Sequence, residues 1–148
     1  MTQRRIVIVQ GHPDPGGGHF GHALAQRYLL GATGAGHQVR SVPVAQIEFP
    51  LLRSQSDWQE GPLPAGLAEA QQSIAWASHL VVFFPLWLGD MPALLKGFLE
   101  QVARPGFAIA TASEGGMGRS CLAAARHASS SRWACRRLSI AGTSVPTA

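Results

Sequence analysis

Apolar residues occur in this chain as short unbroken runs and as helical stripes, and their alternation predicts a parallel sheet wrapped by helices. Arg5-Ile6-Val7-Ile8-Val9-Gln10 and Leu80-Val81-Val82-Phe83-Phe84 are of strand length and nearly uniformly apolar, as strands buried on both faces must be. A weaker strand is expected over Gln38 to Val44, where Val39, Ser41 and Val42 alternate. Phe20, Ala23, Leu24, Tyr28 and Leu29 recur at helical spacing between His19 and Ala35, and Gly34 and Gly36 supply a stop. Leu67, Ala70, Ile74 and Ala77 mark a second helix over 65–77, and Pro92 opens a third that runs through Leu99. Residues 47–64 read as a long polar connection anchored by Leu51, Leu52 and Trp58.

The order β-α-β-α-β-α with right-handed crossovers gives a doubly wound sheet. In the flavodoxin-like strand order, the first and third strands lie side by side and a crevice opens beyond their carboxyl ends. Two unusual loops would flank that crevice. One is Gly11-His12-Pro13-Asp14-Pro15-Gly16-Gly17-Gly18, which no helix or strand absorbs. The other is Pro85-Leu86-Trp87-Leu88-Gly89-Asp90, apolar and carrying an exposable indole, which suits a flat ring system as ligand.

A glycine-rich turn entering a helix offers unpaired N–H groups and a positive dipole end, the ingredients of a phosphate site. Gly16, Gly18 and Gly21 satisfy G-x-G-x-x-G, yet the triplet starts six residues after the strand and no acid lies between Asp14 and Glu48 to hold a ribose. The loop therefore reads as a phosphate cradle and not as a Rossmann fingerprint. His12, His19 and His22 raise the question of a metal, but no carboxylate or thiolate accompanies them at ligand spacing, so no metal is expected.

Composition narrows the class. At 148 residues, with 46% apolar and 14% charged positions, the chain suits one globular domain, and it shows neither a signal peptide nor an apolar run of membrane length. A cytoplasmic protein is expected. The net charge of +4 does not indicate nucleic acid: the eight Lys and Arg of residues 1–120 are matched by eight acids, and the excess lies in Arg126, Arg132, Arg136 and Arg137.

Gly11-His12-Pro13-Asp14-Pro15, the helix start at Phe20 to Ala25, Asp57-Trp58 after Leu51-Leu52-Arg53, and Pro85-Leu86-Trp87 followed by Met91-Pro92-Ala93-Leu94-Leu95-Lys96-Gly97-Phe98 together resemble the NAD(P)H:quinone oxidoreductase family over residues 4–108. The resemblance implies a flavodoxin-like α/β fold, bound FAD or FMN, a homodimer, and hydride transfer from NAD(P)H to the flavin and then to a quinone or similar small acceptor. It implies that His12 touches the flavin phosphates, that His19, Phe20 and Gly21 lie along them, and that Pro85, Leu86, Trp87, Leu88 and Gly89 hold the isoalloxazine. It assigns no catalytic side chain, since the cofactor carries the chemistry. Two departures stand out. The usual Ser-Phe-Asn is here His19-Phe20-Gly21, and a second aromatic of the ring loop is here Leu88. A non-catalytic nucleotide-binding partner of a potassium-efflux system is the competing reading. A phosphoryl-accepting receiver domain lacks its paired acids after the first strand.

After about residue 108 the pattern changes. Cys121 to Ala148 holds no convincing strand, and a frame shifted by one base near residues 118–121 would encode Ile-Val-Val-Thr and a glycine turn resembling the family's next strand and loop. Residues 1–117 are thus expected to form an incomplete flavodoxin-like domain truncated after its third strand. Residues 118–148 are expected to be a non-family tail, disordered or frameshifted. The third strand's outer edge should then be open, and flavin binding weak or absent.

Overall fold

The structure, a computed structural model, describes residues 2–108 and 139–143. Its order is β1 (Arg5–Gln10), α1 (Phe20–Gly34), β2 (Gln38–Pro43), a short 3-10 turn (Val44–Gln46), α2 (Gln55–Gln59), α3 (Ala65–Trp76), β3 (His79–Pro85), α4 (Ala93–Val102) and β4 (Ser139–Thr143). All pairings in the sheet are parallel, in the order β2-β1-β3-β4. That is the flavodoxin-like arrangement expected from the sequence.

The apolar runs are buried on both faces for a geometric reason. Side chains alternate across a strand, so Val7 and Val9 of β1 join Val82 and Phe84 of β3 on one face, with Leu67 and Ala70 of α3 and Leu95, Phe98 and Val102 of α4. Ile6, Ile8, Val81 and Phe83 face the other way, onto Ala25, with Leu24, Tyr28 and Leu29 of α1 packed around them. Small residues carry α1 close to the sheet: Gly21 and Ala25 are its buried positions.

The 47–64 connection is held differently from the expectation. Leu51 remains exposed and Trp58 half-buried, whereas Ile47 and Phe49 pack against the core. A polar strap does the rest. The Gln101 side-chain amide donates to the Pro50 carbonyl at 2.6 Å. Arg104, itself buried, donates to the Gln101 side-chain oxygen and to the carbonyls of Asp57 and Gly61. The guanidinium satisfies carbonyls that the core could not leave bare. A helical turn missed in the sequence, α2, begins at Ser54, whose Oγ accepts the Asp57 N–H at 3.1 Å.

One expectation is corrected at the sheet edge. β4 pairs with β3 from Val81↔Ser139 to Pro85↔Thr143, so the outer edge of β3 is occupied and not open. Ser139 and Gly142 are weak strand formers, which explains why the pattern there did not read as a strand. The frameshift expectation falls on residues 118–121, outside the described residues.

Phe98 is fully buried, and its ring meets Phe49 edge to face with centroids 6.2 Å apart. Phe98→Ala is expected to cost about 3–5 kcal/mol, read as a lowered midpoint in urea unfolding. An unchanged midpoint would show that α4 does not seal the core.

Candidate functional site

β1 and β3 are neighbours in register, Gln10 beside Phe83, so the loops that follow them leave the sheet together. The Gly11 N–H donates to the Phe83 carbonyl at 2.7 Å, which extends the pairing one residue into the loop. A Cβ at Gly11 would come within 2.7 Å of the buried Leu95 side chain, so any larger residue here would have to displace Leu95.

His12 follows, only 8% exposed. Its Nδ1 accepts the Asp14 N–H at 3.1 Å, which puts the ring proton on Nε2. Gln10, a residue the sequence reading passed over as the end of a strand, sets this up. Its side-chain oxygen accepts the His12 N–H at 3.3 Å, and its amide nitrogen donates to the Gly21 carbonyl at 3.2 Å. One buried amide thus ties the end of β1 to the first turn of α1. A glutamine closing an apolar run and bordering a glycine loop was the available signal.

Asp14 folds the loop back: its Oδ1 accepts the Gly16 N–H at 2.8 Å and its Oδ2 lies 2.7 Å from His19 Nε2. These bonds hold the Asp14 carboxyl below the usual range, the His19 contact first. Gly17 and Gly18 take φ of 74° and 79°, left-handed values that favour glycine. His19 is the N-cap of α1 but caps with no side-chain bond; its carbonyl accepts the His22 N–H at 3.0 Å, and the Phe20 and Gly21 amides face the loop uncapped.

The three histidines come together. His12 and His19 stack with centroids 4.0 Å apart, His22 lies 4.9 Å from His12 and 5.6 Å from His19, and His22 Nδ1 is buried without a partner. Burial, and then the neighbouring His19 and His22, hold His12 below the ordinary imidazole range. Stacked rings present their nitrogens side by side rather than converging on one point. Among the described residues no group of three or more His, Cys, Asp or Glu side chains is arranged for a metal ion.

The second loop meets the first. Trp87 stands edge-on to His12, centroids 6.3 Å apart. Trp87 and Asp90 exchange backbone hydrogen bonds of 2.9 and 3.0 Å across a two-residue turn at Leu88 and Gly89, with φ of 52° and 83°. Such a turn ordinarily takes Asn-Gly, and a leucine in it is strained. Leu88 is also fully exposed, and Leu86, Trp87 and Phe20 are exposed beside the polar loop residues. Phe20, expected on the packed face of its helix, is 63% exposed because it stands at the first position of α1. Pro85 is buried as the last residue of β3, and Gly21 is buried in the first turn of α1. The nine residues named from the sequence therefore fall on these two loops and the helix start between them.

The sequence comparison decides the family: the flavodoxin-like fold family matches residues 4–132. The chain belongs to it. Among its relatives, a Haemophilus influenzae protein described as an uncharacterized NAD(P)H oxidoreductase is 29% identical over 108 residues, covering 71% of this chain and 53% of that protein. The solved NAD(P)H:quinone oxidoreductase from Methanothermobacter marburgensis is similar at 26% identity with a TM-score of 0.61, over 72% of this chain and 56% of that one. An NADH:FMN oxidoreductase solved in its apo form is 26% identical with a TM-score of 0.53, over 73% of this chain and 54% of that one. The chain thus spans about half the length of these relatives. Among the described residues no helix is long and apolar enough to cross a membrane.

Two outcomes follow from this geometry. Leu88→Asn should stabilise the chain by about 1 kcal/mol by relieving the left-handed strain, seen as a higher melting temperature; a lower one would mean that Leu88 makes contacts that matter more. His12 and His79 are both held below the ordinary value of 6.5, His79 by burial and then by Arg4. The unfolded chain therefore takes up protons first, and stability should fall as pH drops through about 6.5 toward the lowered folded values. Asp14, depressed below 3.8, acts only at lower pH. A melting temperature that is flat between about pH 7.5 and about pH 5.5, or one that falls equally in His12→Gln/His79→Gln, would contradict this.

Proposed function

We propose that this chain carries the flavin cradle of an NAD(P)H:quinone oxidoreductase, and the observation that supports it is the meeting of His12 and Trp87 across neighbouring strand ends, 6.3 Å apart. The residues present fit a flavin mononucleotide or dinucleotide. At one end stand an imidazole with its proton on Nε2, the uncapped amides of α1 and the Gly16 to Gly18 turn, which suit phosphate. At the other stands the exposed apolar surface of Leu86, Trp87 and Leu88, which suits a planar ring.

Bound flavin would supply the redox chemistry, accepting hydride from NAD(P)H and passing it to a quinone or another small acceptor. This chain's own part is positional. His12, His19, Phe20 and Gly21 would hold the phosphate end, while Pro85, Leu86, Trp87, Leu88 and Gly89 would line the ring. The exposed apolar group formed by Phe20, Leu86, Trp87 and Leu88 would be covered in a homodimer. The relatives bear names of oxidoreductases, which supports an enzyme over a regulatory nucleotide-binding partner.

Titration of the purified chain with FMN and with FAD tests the proposal. Perturbed flavin absorbance and quenched flavin fluorescence are expected, with Trp87→Ala weakening binding by about 0.5–1.5 kcal/mol, a factor of roughly 2–10. Flavin spectra unchanged at saturating protein would overturn it.

A further inference from the structure

The two loops and the start of α1 suit a phosphate, yet among the described residues they bring it no permanent cation. Residues 11–22 and 85–92 contain no Lys or Arg. The carboxylates brought in by these elements are Asp14, engaged with His19 and Gly16, and Asp90, whose Oδ1 accepts the Met91 N–H at 2.7 Å. On α4, Lys96 faces Glu100 at 3.7 Å, and on α1 the first cation is the exposed Arg27. Among the described residues of these elements, the dipole of α1 and three imidazoles are what answers the charge of a phosphate dianion.

Those imidazoles are not equivalent. His12 spends its Nδ1 on the Asp14 N–H, so protonating it would break that bond; it serves as a neutral donor through Nε2, which has no hydrogen-bond partner among the described residues. His19 has Asp14 at Nε2 to balance an added charge. His22 keeps a buried, unpartnered Nδ1 beside both other rings. A proton there without an anion would sit buried against its neighbours, and an anion there without a proton would lie beside Asp14.

We propose that the His12-His19-His22 cluster is a proton-linked anion site, in which the phosphate end of a nucleotide ligand enters together with about one proton taken up by His19 or His22. This deepens the flavin reading and rests on it for the identity of the ligand. Binding tightens as pH falls from about 8 to about 6.5, a window above the second ionisation of a phosphate monoester near 6. Acidification, which weakens the empty chain through His12 and His79, thus strengthens the loaded one. His19, which stands where the family usually has a serine, and His22 beside it would convert a constant phosphate site into one graded by pH.

The test uses the whole chain, FMN, and riboflavin, which has the ring without the phosphate. FMN affinity is expected to fall about tenfold from about pH 6.5 to about pH 8, while riboflavin binding stays level. Calorimetry at about pH 7 in two buffers of different ionisation enthalpy should show about one proton entering with FMN. His19→Ser/His22→Asn, and separately His22→Gln, each checked for an unaltered far-ultraviolet circular dichroism spectrum, should reduce both the slope and the uptake. FMN binding that is tighter than riboflavin binding but level with pH would overturn the proposal and leave the flavin cradle standing. If neither flavin binds, the flavin reading fails, and titration with inorganic pyrophosphate followed through the imidazole proton resonances decides the cluster: proton-linked binding upholds it, and unshifted resonances overturn it.

Discussion

The parallel pairing of β1 with β3 is the interaction on which everything else in this molecule depends. Its register sets Gln10 beside Phe83, and the bond from Gly11 to the Phe83 carbonyl carries the ladder one step past the strands. Two loops with no sequence proximity therefore start from adjacent points and run in one direction. Burial on both faces fixes that register, because a slip by one residue would turn Val7, Val9, Val82 and Phe84 to the wrong side of the sheet. The cleft is thus a consequence of the core, and its chemistry is a consequence of which residues happen to follow the two strands.

Around this centre the polar groups act as braces. Gln10 ties β1 to α1, and Gln101 with Arg104 ties α4 to the 47–64 connection. Each is a buried side chain that bonds backbone groups which would otherwise face an apolar interior, and Arg104 also donates to the Gln101 side-chain oxygen. Arg104 is the sharper case: a cation answered by carbonyl oxygens and one amide, with no carboxylate hydrogen-bonded to it among the described residues. These braces position loops without filling the cleft, which leaves its surface to exposed aromatic and aliphatic groups.

What could be read in the sequence is what has a period or an unbroken run. β1, β3, α1, α3 and α4 are legible because burial selects the residue types of Ile6 to Val9, Val81 to Phe84 and Leu95 to Phe98 position by position. The convergence of the loops was legible through topology alone. The single-residue effects were not. α2 is one turn started by a serine, β4 is five residues with a glycine and a serine among them, and the role of Gln10 depends on a carbonyl eleven positions away. Phe20 misled because a helical stripe does not say where the helix begins relative to the sheet. The histidine cluster was visible as spacing, but the tautomer of His12 depends on a backbone amide that only the folded loop presents.

The contact between Gly11 and Leu95 has a mechanical meaning. The floor of the cleft is at the same time the roof of the α4 side of the core, separated from it by no more than the width of a hydrogen atom at position 11. A gap of that size leaves the opening no slack to deform on its own. Loosening of α4 and loss of the cleft should therefore be one event, and a ligand held there would act as a wedge that locks the interior from above.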